Sequence, residues 1–213
     1  MKAIVKHEWR KTEKGIYLPK STPELVTIPK FKYLSIHGEG NPTSATFTEY
    51  IQALYSLAYA IKMTLKKTDV LPENYSDWTV YPLEGVWDIS ERAKKNFNGI
   101  INKNELVYNL MIRQPEFIGL DIFNEILEST KKKKPQRLLE RIQFTEITEG
   151  LCVQMLHIGS FENEIKTFKV MEDFANTNNL KRKSKVHKEI YLSDFRKVSE
   201  EKLKTVLRFQ IQD

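Results

Sequence analysis

A chain of 213 residues, 40% hydrophobic and 29% charged, has the makeup of an ordinary globular protein and is long enough to bury a sizeable core. No apolar run approaches the roughly 20 residues that span a bilayer, and the opening MKAIVKHEWRK lacks the apolar stretch of a signal peptide, so a cytoplasmic protein without a membrane partner is expected. The net charge of +6 comes largely from lysine-rich runs at 131–134 and 181–185; neither run is interleaved with aromatics or accompanied by a helix-turn-helix, zinc-finger or RNA-binding pattern, which argues against a specific nucleic-acid partner.

The first 24 residues are polar, carry Pro19 and Pro23, and read as an arm packed on the domain. LVTIPKFKYLSIHGEG then reads as a strand ending in a glycine turn, with Pro29 implying an edge or a bulge. After Asn41-Pro42 the spacing predicts a long helix with Thr43 or Ser44 as N-cap. Its buried face is Phe47, Ile51, Leu54, Leu57, Ala58, Ile61 and Leu65. Two strand-like stretches follow, DWTVYPLEGVWDI and ELVYNLMIRQP, completing a β-α-β-β unit over 25–114.

Residues 119–142 read as a helical connector broken near Pro135, after which the order recurs over 144–211. FTEITEGLCVQMLHIG is a strand, and SFENEIKTFKVMEDFANTNN is an amphipathic helix with Phe161, Ile165, Phe168, Met171 and Phe174 on one face. KVHKEIYLSD and LKTVLRFQI close the second unit. Cys152, alone of its kind, reads as a small buried hydrophobe. The halves share local text: a histidine before glycine in YLSIHGEG and MLHIG, a mid-strand glutamate beside an aromatic in YPLEGVW and HKEIYL, and an arginine in LMIRQP and VLRFQI. These echoes predict an α+β fold of duplicated β-α-β-β units related by a pseudo-two-fold, enclosing a central cleft.

VHKEIYL carries the chemistry. Successive strand side chains point to opposite faces, so His187, Glu189 and Tyr191 share one face while Val186, Ile190 and Leu192 take the other. Burying an ionised carboxylate without a partner costs several kcal/mol or raises its pKa until it protonates. A glutamate facing aromatic side chains therefore marks a site, unless it pairs with an arginine such as Arg113 or Arg208. Glu84 invites the same reading from the first unit, and the cleft would let Glu84 and Glu189 look into one space. Trp87 and Tyr81 share a strand face that Glu84 does not, so all three meet a cleft only if Gly85 marks a bulge. Phe117 and Tyr55 are further candidate walls. His37 and His157, at strand ends before glycine, read as turn supports. No His, Cys, Asp and Glu set has metal-ligand spacing, and no phosphate loop or nucleophile elbow occurs, so neither metal nor cofactor is expected.

The text YLPKSTPELVTIPKFKYLSIHGEGNP, then PLEGVW, RQPEF, MLHIGSF and HKEIYLSDFRKVSEEKLKTVLR, resembles the GyrI-like small-molecule-binding family, in its stand-alone branch, from about Leu18 to Ile211. The resemblance implies a duplicated β-α-β-β fold around an aromatic pocket, as in the effector-binding domains of multidrug-responsive activators such as BmrR and Rob. There a buried glutamate pairs with cationic aromatic drugs, and the matching position is Glu189, followed by Tyr191. Some stand-alone members resemble hydrolases of cyclopropane-bearing, DNA-alkylating compounds. Related sequences tend to read HIGPY and SDPRR where this chain has HIGSF and SDFRK, so Phe161 lacks a tyrosine hydroxyl. The expected site is Glu189 and Tyr191 as catalytic groups, with Trp87, Glu84, Tyr81, Phe117, Tyr55 and His187 as ligand contacts. The expected ligands are planar, hydrophobic or cationic small molecules. The alternative is a non-catalytic ligand sensor, or a gyrase-inhibitor-like protein that acts on a protein partner.

Overall fold

The computed structural model describes residues 6–212. Two short helical turns, α1 (Trp9–Thr12) and α2 (Lys14–Tyr17), precede β1 (Glu24–Glu39), α3 (Ala45–Leu65), β2 (Leu83–Ile89), α4 (Glu91–Lys95) and β3 (Leu106–Gln114). Helix α5 (Leu120–Lys133) leads to β4 (Gln143–Ile158), α6 (Glu164–Thr177), β5 (His187–Tyr191) and β6 (Lys204–Gln210). The fold is α+β, its strand pairs are antiparallel, and β-α-β-β occurs twice in chain order once the short α4 is set aside. The strand expected over 77–89 forms only from Leu83, directly after Pro82, which has no N–H to give a ladder. The polar arm buries two large rings, since Trp9 and Tyr17 are each 1% exposed. No helix among the described residues is long and apolar enough to cross a membrane.

The chain forms two compact units. In the first, which takes residues up to 9, 31–81 and 89–147, residues 32–39 of β1 pair with 107–114 of β3. Helix α3 packs on β3 and α5. Ser44 is its N-cap, accepting the Phe47 amide at 3.3 Å, and all seven residues expected on its buried face are buried. Leu34, Ile36, Leu110 and Ile112 meet that face from the strands.

The second unit takes residues 10–30, 82–88 and 148–213 and carries the strand order β2-β5-β6-β4. Register fixes which side chains share a face. Met155, Leu207, Glu189 and Gly85 lie side by side across the four strands, as do Gln154, Arg208, Lys188 and Val86 one residue along. The two rows therefore point to opposite sides of the sheet. Helix α6 covers the first side, where Met171 and Ala175 pack on Val153, Leu207 and Phe209. The stripe is rotated from expectation, for Ile165 is 74% exposed while Glu164 is buried.

Charge is buried on the second side. The Lys188 ammonium donates to Glu84 at 2.9 Å and to Glu149 at 2.6 Å. Arg208 donates to Gln154 at 2.8 Å, to Glu149 at 3.3 Å and to the Ile16 carbonyl at 2.7 Å, so the arm closes the network. Burial raises the Glu149 carboxyl, but Lys188 and Arg208 more than reverse this and hold it below the usual range. Removing one partner of such a network strands the others without solvent. Lys188→Met should thus cost about 3–5 kcal/mol at neutral pH, read from urea unfolding. With its folded pKa lowered, Glu149 contributes stability above the ordinary carboxylate range that is lost as pH falls through the lowered value; Glu149→Gln should flatten the acid side of a melting-temperature profile.

Candidate functional site

Glu189 sits at the centre of a hydrogen-bonded chain on the α6 side of the sheet. The Trp87 indole N–H donates to the Tyr191 hydroxyl at 2.9 Å, which donates to Glu189 Oε2 at 2.7 Å. His187 Nε2 meets Glu189 Oε1 at 3.2 Å. Alternation along β5 places all three of its side chains together, and pairing with β2 brings Trp87 opposite His187. The Glu189 carboxylate has a polar neighbour at each oxygen and is 8% exposed. Arg208, a sequence-level candidate for its ion-pair partner, lies on the other side of the sheet, because Glu189 is registered with Leu207 and Lys188 with Arg208.

Gly85 lies directly across from Glu189. The ladder is regular from Leu83 to Trp87, so the bulge considered from sequence is not what the glycine provides. A Cβ at Gly85 would lie 2.7 Å from Trp87 Nε1 and 3.2 Å from the Tyr191 hydroxyl. The missing side chain makes room for the indole to bend over the strand and reach Tyr191.

Glu164, the first residue of α6, was not among the sequence candidates. Its carboxyl is buried and hydrogen-bonds Glu189, while its Oε1 has no partner among the described residues. A helix N-terminus favours an anion by about 0.3–1 kcal/mol, whereas desolvating a carboxylate costs several. Desolvation wins, reinforced by the charge of Glu189, and the Glu164 pKa is raised well above the usual range. Two carboxyls in contact disfavour double ionisation, and Glu164 is the one whose proton is held more tightly. Burial and then the Glu189 charge also raise the Tyr191 hydroxyl, keeping it a donor. The signal for Glu164 was the stripe 164, 168, 171, 175, which a count of apolar residues alone passes over.

Aromatic rings frame the carboxyls. Phe161 meets Tyr191 edge-on at 6.0 Å and Phe195 at 6.3 Å, and Phe168 lies 4.7 Å from the His187 ring. Phe161 is 39% exposed and makes a wall without a hydroxyl. His157 hydrogen-bonds Thr167 of α6 and the Ser160 carbonyl, the turn-supporting role expected of it.

The remaining candidates fall elsewhere. Glu84 is on the far side of the sheet from Glu189, ion-paired to Lys188 and hydrogen-bonded by Tyr17 at 3.4 Å, which corrects the expectation that both glutamates look into one space. The reason is register, since Glu84 is opposite Ile190 and Gly85 opposite Glu189. Tyr81, Tyr55 and Phe117 belong to the first unit. There Tyr81 lies under the Arg113 guanidinium at 4.6 Å, Tyr55 stacks on Tyr59, and Phe117 packs with Tyr75 and Trp78. No metal-ligand cluster occurs among the described residues.

Residues 21–212 match the family model described as the GyrI-like small molecule binding domain. Among solved structures, a hydrolase from Listeria innocua is 34% identical with a TM-score of 0.87, covering 98% of this chain and 100% of its own. An uncharacterized conserved protein from the same organism is also 34% identical, with a TM-score of 0.86 and coverage of 97% and 100%. The C-terminal domain of EcmrR shares the fold at 13% identity, TM-score 0.51, covering 93% of this chain and 99% of that domain. No curated protein matches the chain.

Two outcomes follow from this geometry. Gly85→Ala should cost about 1–3 kcal/mol by overpacking and shift the tryptophan emission, because the Trp87–Tyr191 bond cannot survive the added carbon. The raised Glu164 pKa favours folding below the ordinary carboxylate range, and that contribution is lost as pH rises toward the raised value. Glu164→Gln should remove this neutral-side slope from the melting-temperature profile while leaving the acid side unchanged.

Proposed function

Because the chain belongs to the GyrI-like small-molecule-binding family, we propose that its site on β5 takes planar, hydrophobic or cationic small molecules and hydrolyses strained-ring electrophiles of the cyclopropane-bearing type. One observation carries the reading: Glu189 is a buried carboxylate held by Tyr191 and His187 rather than by an arginine. Its carboxylate lies in a buried aromatic surround, where it could attract a cation or take a proton from water. Phe161, Tyr191 and Trp87 offer flat faces, each worth about 0.5–2 kcal/mol in aromatic and cation–π contact. The hydrolase name of the Listeria innocua relative supports turnover over sensing alone.

The test compares Glu189→Gln with Tyr191→Phe. Loss of the charge should weaken binding of a planar aromatic cation by about 1–3 kcal/mol. With a strained electrophile it should lower kcat far more than it raises KM, since the lost interaction belongs to the transition state. Tyr191→Phe should cost less in both assays, because the ring wall remains. A melting-temperature loss with affinity and turnover unchanged would mean that Glu189 is structural. Unchanged binding geometry with no turnover in the wild-type protein would leave a ligand sensor.

A further inference from the structure

Between β2 and β3 the first unit sends out a loop over residues 90–105 whose polarity is inverted. Its base is fastened. The Ser90 amide donates to the Glu105 carbonyl at 2.8 Å, the Ser90 hydroxyl donates to Glu105 Oε2 at 2.6 Å, and Arg92 pairs with Glu105 Oε1. The asparagines of the loop turn inward. Asn98 Oδ1 accepts the Ile100 amide at 3.1 Å, Asn102 Oδ1 accepts the Asn104 amide at 3.0 Å, and Asn96 Nδ2 donates to the Arg92 carbonyl at 2.9 Å. The apolar side chains are left outside, with Phe97 55%, Ile100 76% and Ile101 58% exposed. Gly99, at φ +92°, supplies the left-handed turn between them. Together with Ile89 and Ala93 they line one open hollow of about 440 Å³ against α4.

Three large apolar groups held in water forgo the burial that such side chains normally gain. A contiguous apolar patch with a polar rim marks an interaction surface. We propose that the 90–105 loop is a reversible anchor for an anionic phospholipid bilayer, with Phe97, Ile100 and Ile101 entering the boundary between headgroups and acyl chains. The inference is independent of the reading of the β5 site.

Charge complementarity selects a bilayer over a protein. Over residues 90–105 four basic side chains stand against two acidic ones. Those acids are occupied, Glu105 by Ser90 and Arg92, and Glu91 by Lys94 at 2.8 Å. Arg92, Lys94, Lys95 and Lys103 are all exposed and flank the apolar tip from both sides in sequence. Such cations are attracted by anionic headgroups, and their long stems keep the charge in water while neighbouring apolar groups go deeper. Protein interfaces are, in contrast, depleted in lysine. The inward asparagines count on the same side, because amides already bonded within the loop need not lose water uncompensated in an apolar layer. The lack of a membrane-crossing helix among the described residues bears on spanning a bilayer, not on resting against one. Three partly exposed side chains and a few charges make a weak anchor, so binding should be reversible and salt-sensitive.

The experiment measures sedimentation of the full chain with vesicles of equimolar phosphatidylcholine and phosphatidylglycerol, and with vesicles of phosphatidylcholine alone. The wild type should bind the mixed vesicles, bind phosphatidylcholine at least about tenfold more weakly, and lose affinity as salt is raised. A net charge of +6 would by itself draw the protein to an anionic surface, so the loop variants decide. Phe97→Ser combined with Ile100→Ser and Ile101→Ser should lower affinity for the mixed vesicles by about 10²-fold. The melting temperature should change little, since all three side chains are exposed. Lys95→Gln with Lys103→Gln should lower affinity by about tenfold. Depth is read separately. In Phe97→Trp the new indole emission should move to shorter wavelength on mixed vesicles and be quenched by lipids brominated on the acyl chain. Trp9, Trp78 and Trp87 are buried and give a constant background. This readout stands even if the serine variant fails to fold. No sedimentation of the wild type, equal sedimentation of the serine variant, or a Phe97→Trp emission that vesicles leave unmoved overturns the anchor. Self-association of the wild type that the serine variant abolishes, without vesicle binding, also overturns it and assigns the tip to a second copy of the chain.

Discussion

The alternation of β5 is the constraint on which the second unit depends. Five residues, His187 to Tyr191, send Lys188 to one side of the sheet and Glu189 to the other. Both are buried ionisable groups, and the two sides treat them in opposite ways. Lys188 is surrounded by Glu84 and Glu149, with Arg208 closing the cluster, so its charge is matched by acids within hydrogen-bond reach. Glu189 meets no cation among its partners here, and its charge is supported by a phenol, an imidazole and a neighbouring protonated carboxyl. A one-residue slip in register would exchange the two environments, placing the lysine beside the aromatic rings and the glutamate among acids. The ion network on one side therefore fixes the register that presents the carboxylate on the other.

Placement of the aromatic groups follows from the same ladder. Trp87 reaches Tyr191 because Gly85, across from Glu189, has no side chain to stand between them. The indole orients the phenol, the phenol donates to the carboxylate, and neither hydrogen bond requires a loop to close. Helix α6 then supplies Glu164 from its first turn while Met171 and Ala175 anchor it on Val153, Leu207 and Phe209. Groups held by strands and by a packed helix are positioned more tightly than groups on loops.

The family assignment and the geometry speak to different questions. Similarity over residues 21–212 places the chain among small-molecule-binding domains, and a shared fold does not by itself select a chemistry.

Much of this protein was legible in its sequence because the relevant forces act along the chain. The 3.6-residue spacing from Phe47 to Leu65 specified α3 and its buried face, and the period of two in VHKEIYL put His187, Glu189 and Tyr191 together. The order β-α-β-β, twice over, was likewise readable from periodicity and turns. Only tertiary structure decided what each face meets. Lys188 finds Glu84 and Glu149 only because folding brings them to it from β2 and β4, and Glu84 left the candidate site by the same contact. Gly85 was read from sequence as a possible bulge, and the regular register with β5 shows instead a close approach of the Trp87 indole. Glu164 escaped an apolar-stripe reading because a carboxyl joins a buried face only when another strand supplies a partner for it, here Glu189. Alternation and helical period are local properties of a sequence, whereas ion pairing, contact between carboxyls and steric room depend on residues that folding brings together from far along the chain.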